Sequence, residues 1–142
     1  MARGVPDVVI EMLHNVPLLS TCNKRELRQI ANLGTHVSVV DGAVLTEQGQ
    51  PGREFFLLLR GAARCLVDGA LVASFSAGDF FGEMALLDHG PRHATVIADG
   101  TAELIVLNSS EFDTLLDASP SITKKLLFAL AERTRANATV HS

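Results

Sequence analysis

The sequence predicts a mainly β protein of the α+β class: a jelly-roll β-roll of about eight strands, flanked by N-terminal and C-terminal helices. Three observations carry this. Residues 35–107 break into short runs rich in Val, Ile, Leu and Phe. Asp41-Gly42, Asp68-Gly69 and Asp99-Gly100 punctuate those runs, and such dipeptides supply the positive φ of tight turns. On either side of that interval apolar residues recur three and four apart, the spacing of a helix with one buried face.

The chain has 142 residues, 47% of them hydrophobic, so one domain over 1–142 with a sizeable core is expected. Its parts are helices at about 6–33, the β-roll at about 35–107 and C-terminal helices at about 109–136. A net charge of −4 argues against a nucleic-acid partner. No apolar run approaches a membrane span, and Met1–Asp7 has no signal-peptide core, so a cytoplasmic protein without a membrane partner is expected. Cys22 and Cys65 have neither metal-site nor disulfide spacing and read as reduced thiols, Cys65 as a small core residue.

Taken in order, Val8, Val9, Met12, Leu13 and Val16 mark a short helix over 6–15 that Pro17 ends. Asn23 with Glu26 forms a capping box, and Leu27, Ile30, Ala31 and Leu33 give the next helix its apolar face until Gly34. Lys24, Arg25 and Arg28 read as its solvated face. Strands follow around Val37–Val40, Val44–Thr46, Glu54–Arg60, Ala62–Val67 and Leu71–Phe75, then Ala94–Ala98 and Ala102–Leu107. Asn108 with Glu111 is a second capping box. Ser119-Pro120 starts the last helix, with Ile122, Leu126, Ala129, Leu130 and Arg133 on one face. The tail from Ala136 is expected to fray.

Residues 81–96 carry the chemistry. Between Arg64 and Lys124 the only Lys or Arg is Arg92, among nine carboxylates. Gly82 lets the backbone turn and approach a ligand closely. Met84–Leu87 forms about one helical turn, whose N–H groups attract phosphate oxygens. Arg92 can add a bidentate contact to the same phosphate, with Pro91 stiffening the chain before it. Ala94 allows close approach to its own N–H, and Thr95 offers a hydroxyl. Glu83 is a poor partner for phosphate and a good acceptor for a sugar hydroxyl. The arrangement suits a ligand with one anionic group and one nearby hydroxyl, and a cyclic nucleotide has both.

The run Phe81-Gly82-Glu83-Met84-Ala85-Leu86-Leu87, followed by Pro91-Arg92-His93-Ala94-Thr95-Val96, resembles the phosphate-binding cassette of the cyclic nucleotide-binding domain family. That family includes regulatory subunits of cAMP-dependent protein kinase, catabolite activator proteins and cyclic nucleotide-gated channels. The Glu-to-Arg spacing is closer to the kinase type than to the bacterial activator type. Val44–Gly49, Phe56–Gly61 and Gly78–Phe81 resemble the family's preceding strands and cassette entry. The resemblance implies that Glu83 accepts from the ribose 2′-hydroxyl and that Arg92 binds the cyclic phosphate. It also implies phosphate contacts from the N–H groups of Ala85 and Ala94, with Gly82 near the sugar. Met84, His93 and Thr95 complete the expected ligand-binding set. The last helix would close over the base with Leu126, Leu127, Leu130 or Arg133. His93 departs from the family, where cAMP-selective members often carry alanine and cGMP-selective ones threonine.

The expectation is a stand-alone, non-enzymatic sensor for a cyclic nucleotide, cAMP rather than cGMP, with no cofactor. Its output would pass through C-terminal helix movement to a protein partner or a second copy. The alternative is a scaffold of the same fold that binds no nucleotide, its cassette closed by a Glu83–Arg92 ion pair. A metal site built from His89, His93 and Glu83, with His36 as a further ligand type, lacks enough converging ligands to be expected.

Overall fold

The computed structural model describes residues 5–141, with side chains as far as Arg135. Helix α1 spans Asp7–His14 and buries Val9, Ile10 and Leu13, and Pro17–Leu19 forms a 3-10 turn behind it. Helix α2, Lys24–Leu33, begins at the expected capping box: Glu26 N donates to Asn23 Oδ1 and Asn23 N to Glu26 Oε1, each at 2.9 Å. Caps of this kind contribute about 1 kcal/mol. Lys24, Arg25 and Arg28 are exposed. Helix α4, Ser109–Ala118, repeats the device with Asn108 and Glu111. Helix α5 runs Pro120–His141, and the side chains of the tail expected to fray lie outside the described residues. Among the described residues no helix is long and apolar enough to cross a membrane.

Six strands form one antiparallel sheet that rolls on itself: β1 Thr35–Val39, β2 Val44–Thr46, β3 Glu54–Val67, β4 Ala70–Ser76, β5 Phe80–Phe81 and β6 Thr95–Asn108. The order is β1-β6-β3-β4, with β2 also on β6 and β5 on β3. The sequence suggests about eight strands because Gly61 and Gly100 read as breaks. Instead β3 and β6 run through them as two long, bent strands. At Gly61 (φ 92°) the two strands come so close that a Cβ would lie 2.9 Å from Ala102 Cα and closer still to Thr101 O. The ladder shifts register between Arg60 and Ala62 and continues. At Gly100 the backbone N–H donates to Asp41 Oδ1 at 2.7 Å, which holds the bend without ending the strand.

Two cores follow from the alternation along β3. Phe55, Leu57 and Leu59 point to the helices and pack with Leu13, Leu27, Ile105, Leu107, Phe112, Ile122 and Leu126. Phe56 and Leu58 point into the roll, with Ala63, Cys65, Phe81, Val96 and Leu104. A strand covered on both faces reads as a continuous apolar run, which is why Phe55–Leu59 shows no polar alternation. The short β5 ends between these two cores. The polypeptide leaves it into helix α3, Glu83–Asp88.

Candidate functional site

Gly82 joins β5 to α3 with φ 91°, a left-handed conformation. A Cβ there would also lie 2.6 Å from Glu54 O and 3.1 Å from both Arg92 Nη1 and the Phe56 ring. The turn directs Glu83 inward, where only 3% of it stays exposed. One carboxylate oxygen, Oε2, accepts from Met84 N at 3.2 Å. The other, Oε1, pairs with Nη1 of Arg133 from α5. Burial raises the Glu83 carboxyl above its ordinary range, and the neighbouring Arg133 charge and local N–H groups oppose that rise.

Arg133 is also held by Phe80, whose carbonyl accepts from Nη2 at 2.6 Å and whose ring centroid lies 4.2 Å from the guanidinium carbon. Its side chain is still 37% exposed. Arg92 contrasts with it, being 6% exposed and bonded to backbone alone among the described residues. Its Nη1 donates to Gly82 O and its Nη2 to Glu54 O, each at 2.9 Å, and the Phe56 ring lies 5.9 Å away. Burial lowers its pKa from the usual arginine value, and Glu54 and Glu83 counter that shift. The Glu83–Arg92 ion pair raised by the sequence therefore does not form. Arg92 is turned toward the start of β3, and Glu83 takes its cation from α5 instead.

The remaining cassette residues lie around these two. Ala85 is buried, Met84 is exposed, and both line a cavity of about 130 Å³ together with Gly82, Glu83, Arg92, His93, Ala94 and Arg133. The exposed His93 ring places Nε2 3.1 Å from Asp88 Oδ2. Asp88 is held below its usual carboxylate range first by the Gly90 N–H and then by His93. Ala94 O accepts from Thr46 Oγ1 at 2.9 Å. Thr95 does not line the cavity, because its hydroxyl accepts from Gln48 N at 3.0 Å.

On α5 only Arg133 of the four lid candidates reaches the cavity. Leu126 is buried in the helical core, Leu130 packs half-buried against it, and Leu127 points to solvent with 63% exposure. The sequence reading missed Thr46, Cys65, Phe75, Phe81 and Val96 as lining residues. The aromatic ones read as core, and in part they are: Phe75 and Phe81 stack with centroids 5.2 Å apart. Cys65 was legible as inward-facing from the alternation of β3, and burial raises its thiol pKa. His36 lies instead 3.6 Å from Glu103 on the β1–β6 ladder. Among the described residues no group of three His, Cys, Asp or Glu side chains converges for a metal.

Comparison with known proteins turns on this architecture. Residues 36–119 match the cyclic nucleotide-binding domain. The cAMP-dependent protein kinase regulatory subunit of Colletotrichum orbiculare is 37% identical over 117 residues, covering 81% of this chain and 30% of that relative. The solved structure of cAMP-bound PfPKA-R superposes with a TM-score of 0.84 at 27% identity, over 95% of this chain and 47% of that one. The regulatory domain of Toxoplasma gondii PKA with cAMP gives 0.75 at 28% identity, over 89% of this chain and 49% of that one. The chain spans about a third or less of the length of the curated relatives it matches. With a match across more than half of its residues, carried on a β-roll of the same shape, the chain belongs to the cyclic nucleotide-binding domain family.

Proposed function

We propose that this protein is a cytoplasmic cyclic nucleotide sensor, a binding module rather than an enzyme, that takes cAMP in preference to cGMP. The observation that carries this is the coincidence of Glu83 and Arg92. They are the two buried charged residues among those described, and both line one cavity. Burying a charge costs several kcal/mol in effective terms, so an acid and a base buried without pairing to each other mark a functional position. Arg92 binds the cyclic phosphate with the N–H groups of Ala85 and Ala94. Glu83 accepts from the ribose 2′-hydroxyl beside Gly82, and Met84 and His93 complete the wall, while Thr95 stays outside it, bonded to Gln48 N. The preference for cAMP draws on the likeness to cAMP-bound structures.

The size of the cavity supports a mechanism of helix movement. A cavity of about 130 Å³ is well below the roughly 300–1,000 Å³ of small-molecule sites. Arg133 occupies the carboxylate that the ribose needs. Nucleotide entry therefore displaces Arg133 and moves α5. The base then meets Leu126, Leu127, Leu130 or Arg133 in the rearranged helix. Binding energy shifts the helix only through this difference between the two arrangements. The moved helix is read by a protein partner or by a second copy of the chain.

A second reading, a scaffold that binds no nucleotide, draws on the engagement of both groups inside the fold: Glu83 with Arg133, Arg92 with two carbonyls. Calorimetric titration with cAMP and cGMP, followed by amide NMR, separates the two. Saturable binding with cAMP the tighter ligand supports the sensor. Unshifted amides over residues 82–95 at millimolar ligand overturn it in favour of the scaffold.

A further inference from the structure

We infer that Gly52, in the loop between β2 and β3, is a positioning residue for Arg92: its missing side chain is the space in which the guanidinium lies. As a statement about nucleotide affinity this rests on the sensor reading; as a statement about Arg92 it stands on geometry alone. A Cβ built on Gly52 would lie 2.7 Å from Arg92 Cδ, and closer still to Nε and Cζ. No other residue type leaves that volume empty.

The reason for glycine here is not the backbone. Gly52 is absent from the positive-φ glycines, which are Gly42, Gly49, Gly61, Gly69, Gly78, Gly82 and Gly100. Its φ lies outside the left-handed range that disfavours a side chain, so the obstacle to an added Cβ is Arg92. Gly82 also abuts Arg92, but its φ of 91° and the Glu54 carbonyl 2.6 Å from its would-be Cβ give it two further reasons to be glycine. At Gly52 the three atoms nearest the would-be Cβ all belong to Arg92.

Nor can the guanidinium simply step aside. Its terminal nitrogens are bonded to Gly82 O and Glu54 O, each at 2.9 Å. The loop cannot easily retreat either, because it is pinned to the backbone of Arg92 itself. Arg92 N donates to Gln50 O and Gly49 N to Arg92 O, both at 2.9 Å. Relief of an added methyl group thus means leaving the two carbonyls and swinging the cation out of the place it holds beside Gly82. The charge would remain in the chain, but not where a phosphate meets it.

The test compares wild type, Gly52→Ala, Arg92→Ala and the double variant. First, the Arg92 Nε–Hε resonance is followed by NMR without ligand. It should move to an exposed-arginine position in Gly52→Ala, and an unmoved resonance overturns the proposal. Second, thermal stability is measured for all four proteins. Gly52→Ala should lower the melting temperature in the wild-type background and have almost no effect once Arg92 is alanine, since the clashing atoms are gone. Equal losses in both backgrounds overturn the proposal, as does a double variant that fails to fold while Arg92→Ala folds. If Gly52→Ala alone fails to fold, folding of the double variant supports the proposal. Third, Gly52→Ala should weaken cAMP about ten- to hundredfold, the range for lost hydrogen bonds to a charged group. Wild-type affinity in that variant overturns the link from Gly52 to binding. If the wild type itself binds no cAMP, the sensor reading fails, and the first two measurements still decide what Gly52 does.

Discussion

Arg92 and Arg133 line the same cavity, yet the fold holds them in opposite ways. Arg92 is buried on the β framework and donates to two backbone carbonyls that the sheet itself positions. Arg133 is over a third exposed, comes from the last helix, and holds a carboxylate that a ribose could claim. A cation fixed by main-chain acceptors is pre-organised, since those acceptors cannot rotate away. A cation at the end of a long side chain on a helix is a displaceable occupant. On the sensor reading proposed above, the difference makes one guanidinium part of the ligand's site and the other a competitor for it.

Substitutions can break that contrast. Arg92→Ala should have the largest effect, lowering cAMP affinity at least about hundredfold by calorimetry, because the charge-assisted phosphate contact goes. It should also cost about 1–3 kcal/mol of stability in chemical denaturation through the carbonyls left unpaired. Glu83→Gln keeps the shape but weakens the acceptor for the sugar, so affinity should fall about tenfold in the same titration. Arg133→Met should act with the opposite sign. Without its occupant the carboxylate is free, and cAMP should bind several-fold tighter, while the unliganded protein loses about 1–3 kcal/mol. That loss stays below the figure for a fully buried pair because Arg133 is partly solvated. Equal losses of affinity in Arg92→Ala and Arg133→Met would erase the distinction between the two arginines.

The smallest effect is in pH. Burial raises the folded-state pKa of Glu83, so the folded protein holds this proton more tightly than the unfolded chain does. The stabilising contribution is therefore complete below the unfolded carboxylate pKa and is lost as pH rises through the folded value. Denaturation of wild type and Glu83→Gln from acidic to neutral pH should show the wild type losing stability relative to the variant as pH rises. Asp88, lowered by the Gly90 N–H and His93, works in the reverse direction in both proteins and cancels in the difference. In Arg133→Met the fall should extend to higher pH, since the charge that opposes the rise is gone.

Much of the fold was legible because its signals are local. Both capping boxes join residues three apart, and both appear. The turn dipeptides and the Phe- and Leu-rich run of β3 mark strands from neighbouring residues alone. The strand count was overestimated where the same local logic failed. A glycine with positive φ reads as a break, yet at Gly61 it serves close contact with Ala102, forty-one residues later by subtraction of their numbers. In the candidate site, Glu83 and Arg92 stood out through charge isolation and motif spacing, whereas Arg133 appeared only as one of several side chains on a helix face. Nothing in its own neighbourhood names Glu83, fifty residues away, as its partner.

The amino-acid sequence by itself determined the β-roll between helices, the helix caps, and a lone arginine and a glutamate set around one short helix. These depend on dihedral preferences and side-chain spacing within a few residues. Only the tertiary structure decided that Arg92 leans on Glu54 and fits against Gly52, that Arg133 reaches Glu83, and that Leu127 faces water. Each of these is set by the register of β3 against β6 or by where α5 packs, and long-range packing of that kind leaves no periodic trace in the chain.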